Sequence, residues 1–373
     1  MSEGTYDCII VGGGIVGAAC AARFAKEGMH VALVDCLGAG LGATAAGMGH
    51  VVVMDDSPAQ FLLTQYSQSL WLRLAQVLPP GAEFQQCGTL WVAADGEEMD
   101  EVARKHTVYD AHGVPTRILN RDALLALEPE LRSNLLGALL VQSDAVVYAP
   151  LVAKFLVEEA VAHGARVIDG EIAAIGSGCA NFRDGRHLKS SRIVNAAGER
   201  AAELTPGLPI KKRKGHLAIT DRYSGFLHHQ IVELGYLKSA HSISEDSVAF
   251  NVQPRVTGQV LIGSSRQFDP STAIDYAILS RMLARAVHYM PGLADCSIVR
   301  TWTGFRAATP DKLPLIGPWP EDESIFLATG HEGLGITTSL ATADLLLAHF
   351  SGVAPAIPLE PYLPARLSRM AHV

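Results

Sequence analysis

Three glycines near the N-terminus have the spacing of a phosphate-binding turn. Gly12, Gly14 and Gly17 follow directly after the apolar run 8–11, and a helical pattern begins at Ile15. Glycine at these positions permits a tight strand-to-helix turn, lets the backbone approach a pyrophosphate, and lets helix and strand pack closely. The start of the helix offers unpaired N–H groups and the positive end of its dipole to phosphates. The spacing therefore favours a dinucleotide site over a glycine-rich structural turn.

An acidic residue completes the same pattern. The helical pattern runs to Lys26, Gly28 ends it, and a second apolar run from His30 to Val34 closes with Asp35. A carboxylate at this point can accept hydrogen bonds from ribose hydroxyls. Strand, helix, second strand and acid are all in register, so the sequence predicts a Rossmann-type βαβ unit.

A single guanidinium stands in a stretch that is otherwise apolar or small. Residues 301–308 carry one charge, Arg306, and Trp302 and Phe305 indicate a packed surface. Arginine binds a carboxylate through two parallel hydrogen bonds and stays charged at any physiological pH. The residues alone allow an anion clamp, a buried salt bridge or a solvated strand end.

A long segment rich in Gly, Ala and Thr, residues 36–50, follows the second strand and suits a chain running beside an extended cofactor. Here the sequence resembles the FAD-binding amine oxidoreductases of the D-amino acid oxidase and glycine oxidase type. Residues 170–175 resemble the family segment that contacts adenine, 194–198 its mid-chain cofactor turn, and 326–350 its C-terminal flavin loop and helix. The resemblance extends over nearly the whole chain.

The resemblance implies non-covalent FAD, because no cysteine lies within 301–318, where the sarcosine oxidase branch attaches flavin. The helix after the flavin loop can stabilise negative charge on the reduced ring. The residues expected to bind the cofactor are Gly12, Gly14, Ile15, Val16, Gly17, Asp35, Cys36, Thr44, Ala45, Ala46, Gly47, Met48, Ile172, Ala197, Gly198, Gly304, Arg306, Gly330, His331, Gly333, Leu334, Gly335, Ile336 and Thr337.

The same resemblance assigns the substrate side of the site. Arg306 is expected to lie over the flavin and pair with the substrate α-carboxylate, which fixes Cα for hydride transfer. Met48 matches a position lining the substrate side, with simple packing as the alternative. His50 is either a substrate contact or a satisfied core histidine. Asn251 lies near the position where glycine oxidases place a tyrosine, and His331 is either a tuning residue or part of a surface loop.

Composition and charge narrow the class of protein. Of the 373 residues 49% are hydrophobic and 18% are charged, which predicts a well-buried globular protein. The net charge of −8 argues against nucleic acid or an anionic membrane as the main partner. The basic run KKRK at 211–214 is expected to be a solvated loop or a partner contact.

The six cysteines are scattered without zinc-site or disulfide-framework spacing, so we expect no metal site and a reducing cytoplasm. No uncharged apolar run is long enough to predict a membrane span.

The pattern of elements predicts an α/β + β fold: a discontinuous Rossmann-type FAD-binding domain with an interleaved substrate domain built on an antiparallel sheet. The FAD-binding domain is expected to comprise residues 1–81, 145–205 and 301–373. The substrate domain is expected to comprise residues 82–144 and 206–300, because short strands alternate with turns from 206 onward, before a helix at about 271–289.

Residues 45–58 are most similar to the β-subunits of D-hydroxyproline dehydrogenase, opine oxidase and hydrogen cyanide synthase. This similarity implies an FAD-dependent dehydrogenase for a secondary or D-configured α-amino acid, with cis-4-hydroxy-D-proline or an opine as the best candidates. It also implies partner subunits and, in some relatives, FMN at a subunit interface. Two alternatives stay open: a stand-alone glycine or sarcosine-type oxidase that releases peroxide, and a non-catalytic FAD-bearing scaffold or electron-transfer subunit.

Overall fold

A computed structural model describes residues 5–235 and 246–367 of the chain. Its strands are β1 (Cys8–Val11), β2 (Val31–Asp35), β3 (His50–Val51), β4 (Thr89–Ala93), β5 (Thr116–Asn120), β6 (Gly137–Val141), β7 (Ala145–Val146), β8 (Arg166–Asp169), β9 (Ile172–Gly176), β10 (Cys179–Phe182), β11 (His187–Lys189), β12 (Ile193–Asn195), β13 (Lys211–Arg222), β14 (Gln230–Glu233), β15 (Ser247–Pro254), β16 (Gln259–Arg266), β17 (Ile298–Ala308), β18 (Leu315–Trp319) and β19 (Asp322–Thr329). Its α-helices are α1 (Ile15–Lys26), α2 (Ala43–Ala46), α3 (Pro58–Leu74), α4 (Gly96–Ala111), α5 (Arg121–Leu127), α6 (Ala149–Ala162), α7 (Ala201–Leu204), α8 (Tyr276–Tyr289) and α9 (Gly335–Ser351).

The predicted βαβ unit forms the centre of a six-stranded sheet with the order β18-β19-β12-β1-β2-β8. All neighbours are parallel except β18 and β19. The strand β1 is buried along its length, as expected for a parallel strand covered on both faces. Small residues on α1, including Ala18 and Ala21, let this helix pack closely against α6 and α9. This sheet confirms the Rossmann-type part of the predicted fold.

A second sheet has eight strands in the order β17-β13-β16-β15-β14-β4-β6-β5. Its neighbours are antiparallel except β14 and β4, which run parallel. The helix α8 covers one face, where Met282 and Tyr289 join a buried cluster with Phe250 and Ile262. The rings of Phe250 and Tyr289 stack with centroids 4.8 Å apart. The opposite face is left for the site.

The strand β17 lies in the eight-stranded sheet, where it pairs with β13 from Lys211 to Thr220. The expected domain boundary at residue 301 falls inside this strand, so the sheet topology differs from that division. The difference matters because Arg306 is carried by the second sheet, not by the Rossmann-type sheet. The division of the whole chain into domains stays a prediction.

The basic run 211–214 corrects an expectation. These residues begin β13, and two of their side chains are buried: Arg213 is 6% exposed and Lys214 is 1% exposed. Arg213 pairs with Glu332 at 2.6 Å and Lys214 with Asp269 at 2.8 Å. The prediction of a solvated loop or partner contact was wrong, because carboxylates from distant segments neutralise these charges within the fold.

Helix and strand ends differ from the predicted limits by a few residues. The Ser57 hydroxyl accepts from the Gln60 backbone N–H at 3.1 Å, which confirms the predicted N-cap. The helix α3 ends at Leu74 rather than 78, and α8 begins at Tyr276 rather than about 271. The extended stretch predicted for 83–93 is a strand only from Thr89, because Glu83 has a left-handed backbone with φ of 50°. None of the helices described is long and apolar enough to span a bilayer.

Candidate active site

One cavity of about 370 Å³ lies between the two sheets. It is bordered by the turn after β1, the segment 41–50, the loop between β19 and α9, and the uncovered face of the eight-stranded sheet. Almost every residue predicted for the site lines it, including Asp35, Cys36, Ile172, Ala197 and Gly198. Gly17, Ala45 and Thr337 are the predicted residues that do not. The fold therefore brings together segments that are more than 300 residues apart.

The glycine turn has no room for side chains. An ideal Cβ on Gly17 would lie 1.8 Å from the Gly12 carbonyl oxygen, and one on Gly12 would lie 2.5 Å from the Ala196 carbonyl oxygen. Gly14 caps α1, and its ideal Cβ would point toward the Thr44 hydroxyl at 3.3 Å. That hydroxyl accepts from the Ile15 N–H at 3.0 Å. The turn is thus a backbone cradle at a helix N-terminus, which suits a pyrophosphate.

The carboxylate of Asp35 lies at the end of β2 beside this cradle. It accepts from the backbone N–H groups of Gly13 at 2.6 Å and of Leu37 and Gly38 at 2.7 Å each. These bonds fix the carboxylate at the cavity wall and order the turn that follows β2. Contact with a ribose hydroxyl stays a prediction for this residue.

The turn 194–198 and the end of β19 are joined directly. The Thr329 hydroxyl donates to the Gly198 carbonyl at 3.0 Å, and the Asn195 side chain accepts from the Ala197 N–H at 3.2 Å. Gly198 has a φ of 59° and open space at its Cβ position. The predicted mid-chain turn therefore borders the cavity at the point where the strands of the first sheet end.

The segment 43–51 passes between the two sheets. The ideal Cβ of Gly304 would lie 2.4 Å from the Ala46 Cβ, so α2 touches β17 closely. Met48 lies over Gly263 of β16, where an ideal Cβ would meet its sulfur at 2.8 Å. The Gln253 side-chain amide donates to the Met48 carbonyl oxygen. Met48 is therefore held against the cavity face of the eight-stranded sheet.

The Arg306 guanidinium lies flat across β13. Its Nη1 donates to the Ser265 carbonyl at 3.0 Å, and an ideal Cβ on Gly215 would come within 2.6 Å of the same nitrogen. The ideal Cβ of Gly333 would lie 3.8 Å from its Nε. Glycines on both sides let the guanidinium reach the cavity wall. Sequence reasoning did not single out Gly215, although it stands next to the basic run.

Both predicted histidines are neutral at physiological pH. Burial, together with the positive charge of Arg306, lowers the pKa of His50 to about 4. Burial lowers the pKa of His331 to about 3, and its Nε2 is 2.9 Å from the Thr342 hydroxyl. The Thr337 hydroxyl donates to the His50 carbonyl at 2.8 Å, which explains why the Thr337 side chain faces away from the cavity. Glu332, beside His331, pairs with Arg213.

Several buried polar atoms of the cavity wall have no hydrogen-bond partner among the described residues. They are Trp91 Nε1, Gln230 Oε1, Asn251 Oδ1, His50 Nε2 and Glu199 Oε2. Leaving such an atom unsatisfied costs about 1–3 kcal/mol, so these positions are those that a bound ligand would stabilise. Trp91 and Gln230 were missed because they stand on separate strands without a motif. The alternation of residues along the predicted strand 83–93 was the one signal for Trp91.

Asp144 connects the cavity segment to the rest of the fold. Its Oδ1 accepts from the Val53 N–H at 3.1 Å and from the Gln68 amide at 2.9 Å. Burial raises the pKa of this carboxyl to about 7, although those hydrogen bonds favour the ionised form. The folded state therefore holds a proton that the unfolded chain has released above its usual pKa of 3.8.

We expect Asp144→Asn to remove a pH dependence of stability. As pH rises from 5 to 7, the wild type should lose up to about 1.4 kcal/mol per pH unit relative to the variant. Above pH 7 the difference should level off. Denaturant unfolding at half-unit pH steps measures it, with the exposed Asp110→Asn of α4 as the control. Parallel pH profiles for D144N and wild type would contradict a buried, protonated Asp144.

Comparisons with known proteins agree with this geometry. The family model described as "FAD dependent oxidoreductase" (DAO) matches residues 7–349. The chain is 27% identical to hydrogen cyanide synthase subunit HcnC of Pseudomonas aeruginosa, over 97% of this chain and 96% of that protein. It is 28% identical to glycine oxidase of Geobacillus kaustophilus, over 91% and 93% of the two chains. The crystal structure of the Geobacillus enzyme superposes with a TM-score of 0.87, at 26% identity over 97% of this chain and 98% of that one.

Proposed function

The chain belongs to the DAO family of FAD-dependent oxidoreductases and is an amino acid oxidoreductase; on that premise we propose its substrate and its place in a complex. The substrate is a secondary or D-configured α-amino acid, with cis-4-hydroxy-D-proline or an opine as the first candidates. The reaction oxidises the Cα–N bond to an imine. The protein serves as the β-subunit of a dehydrogenase complex.

The observation that carries the proposal is the placement of Arg306. Its guanidinium reaches the cavity between Gly215 and Gly333, next to the loop that precedes α9. A guanidinium in this position binds the substrate α-carboxylate and thereby fixes Cα. Its charge also disfavours an ammonium group nearby, so the bound amine is held in the neutral form that oxidation requires.

The residues present fit FAD. The cradle at Gly12 and Gly14 would hold the pyrophosphate, Asp35 the adenosine ribose, and the loop Gly330–Gly335 the flavin ring. The first turn of α9 borders the cavity and presents the positive end of a helix of 17 residues. FAD, when bound, supplies the acceptor for the Cα hydrogen and its two electrons.

The neutral histidines bear on the chemistry of the chain itself. His50 lies within the electrostatic reach of Arg306 and adds no second positive charge. The substrate loses Cα–H with its electron pair, and one N–H proton is released as the C=N bond forms. No strong side-chain base is needed for that release, because the amine is already neutral and the imine nitrogen is less basic in the oxidised product.

Partner subunits are proposed from similarity. One relative is named as a subunit, hydrogen cyanide synthase subunit HcnC, and the chain covers nearly all of its length. Electrons would pass from the flavin to a partner, with FMN at a subunit interface as in some members of that branch. This proposal predicts slow reoxidation of the reduced protein by oxygen.

We expect bleaching of the flavin absorbance when the holoenzyme is mixed anaerobically with its substrate. The panel should contain glycine, sarcosine, D- and L-proline, cis-4-hydroxy-D-proline, D-alanine and an opine. Rapid reoxidation in air with stoichiometric peroxide would instead identify a stand-alone oxidase. Bleaching by dithionite but by no amine would overturn the proposed activity and favour a scaffold or electron-transfer subunit.

A further inference from the structure

We propose that Trp91, Gln230 and Asn251 recognise the substrate side chain, and that this side chain carries a neutral group that both donates and accepts hydrogen bonds. A hydroxyl group has this chemistry, and so does a carboxamide. The inference rests on the proposed oxidation of an amino acid and deepens it by naming the class of side chain.

The three residues share one face of the eight-stranded sheet. Trp91 of β4 pairs with Val232 of β14, and Val232 pairs with Asn251 of β15. Gln230 stands two residues from Val232, and alternate residues of a strand point to the same face. All four line the cavity. The short side chain of Val232 leaves space between its larger neighbours.

The exposed surface does not satisfy these groups. Trp91 is 3% exposed, Gln230 is 2% and Asn251 is 6%. The indole Nε1 and the two amide oxygens have no hydrogen-bond partner among residues 5–235 and 246–367. Native proteins keep few such atoms, and three on one row of a cavity wall indicate a missing ligand.

The chemistry of the three atoms selects the ligand group. Trp91 Nε1 can only donate a hydrogen bond, whereas Gln230 Oε1 and Asn251 Oδ1 accept. A carboxylate would satisfy the indole but repel the two oxygens, because it has no proton to donate. An ammonium would satisfy the oxygens and leave the indole unpaired. A hydroxyl or carboxamide satisfies both kinds of atom at once.

The distance from the carboxylate clamp fits a small amino acid. Asn251 pairs with Gly263 of β16, and the carbonyl that anchors Arg306 belongs to Ser265, two residues along the same strand. One strand spacing and two residues correspond to roughly 8 Å between backbone positions. Met48 lies over Gly263, between the two ends of the site. A substrate held at Arg306 therefore directs its side chain toward the Trp91 row.

The test compares matched substrates on the holoenzyme. The pairs are cis-4-hydroxy-D-proline with D-proline, D-serine with D-alanine, and D-asparagine with D-aspartate. Rates of anaerobic flavin reduction give kcat/KM for each. We expect the hydrogen-bonding member of at least one pair to be preferred by about 100-fold or more, because the apolar or anionic analogue leaves the buried atoms unsatisfied.

The variants Trp91→Phe and Asn251→Leu keep volume and remove one hydrogen-bonding atom each. Each should lower the preference about tenfold by slowing the hydroxylated or amidated substrate, with little change for the analogue. Trp319→Phe on β18, outside the cavity, is the control for the loss of an indole. A structural role would slow both members of a pair equally. That result, or a wild-type preference near one, overturns the inference while the proposed activity stands. Absence of flavin reduction by every amino acid overturns both.

Discussion

Replacing Arg306 by alanine is expected to lower kcat/KM for the amino acid substrate by about 10²- to 10³-fold. Removing one partner of a buried, charge-assisted pair costs about 3–4 kcal/mol, and each 1.4 kcal/mol is a factor of ten. The loss should fall mainly on substrate affinity, with a further loss in the reduction step because Cα is no longer aligned. Anaerobic stopped-flow reduction at varied substrate concentration separates the two effects.

Two further variants make this result specific. Arg306→Lys keeps the charge but not the two-pronged geometry, and should recover only part of the affinity. Arg300→Ala removes an exposed guanidinium from the same strand, where it lies over the Trp302 ring, and should reduce the flavin at the wild-type rate. If R306A binds substrate as tightly as the wild type, Arg306 does not bind the carboxylate.

Gly17→Ala is expected to abolish retention of FAD. A methyl group on Gly17 would lie 1.8 Å from the Gly12 carbonyl oxygen, a contact that forces α1 away from the turn. The displacement opens the backbone cradle and also costs about 1–3 kcal/mol of folding stability through overpacking. We expect the purified variant to carry less than about a tenth of the wild-type flavin, which corresponds to a loss in binding of more than 1.4 kcal/mol. Visible absorbance per protein measures it.

Gly96→Ala is the matched control for this variant. Gly96 is the first residue of α4, has no neighbour within 4 Å of its ideal Cβ, and has no positive φ. Alanine there should keep the full flavin content and leave stability unchanged or slightly raised. Full flavin content and a wild-type melting temperature in G17A would show that the turn tolerates a side chain.

Much of the cofactor half of the site follows from short stretches of sequence. The turn from β1 into α1 can be read locally, because glycine sterics, a buried apolar run and a helix start involve neighbouring residues only. The same holds for Asp35 at the end of β2 and for the loop before α9. Similarity to a known family then extended this local reading to Arg306, which the residues alone left between a clamp and a salt bridge.

The basic run and the substrate side of the cavity could not be read in the same way. Arg213 and Lys214 look solvated until the fold places Glu332 and Asp269 beside them. Gly215 has no visible role in the sequence, yet it is the position over which the Arg306 guanidinium lies.

By itself, the sequence determined the βαβ unit, the phosphate-binding turn and the residues that close the cavity on the flavin side. Only the tertiary structure decided that Trp91, Val232 and Asn251 form one row, since these residues come from three strands far apart in the chain. A shift of one residue in strand pairing would turn each of those side chains to the opposite face. Which atoms meet a substrate therefore depends on register between distant strands, and register is fixed by the packing of the whole sheet.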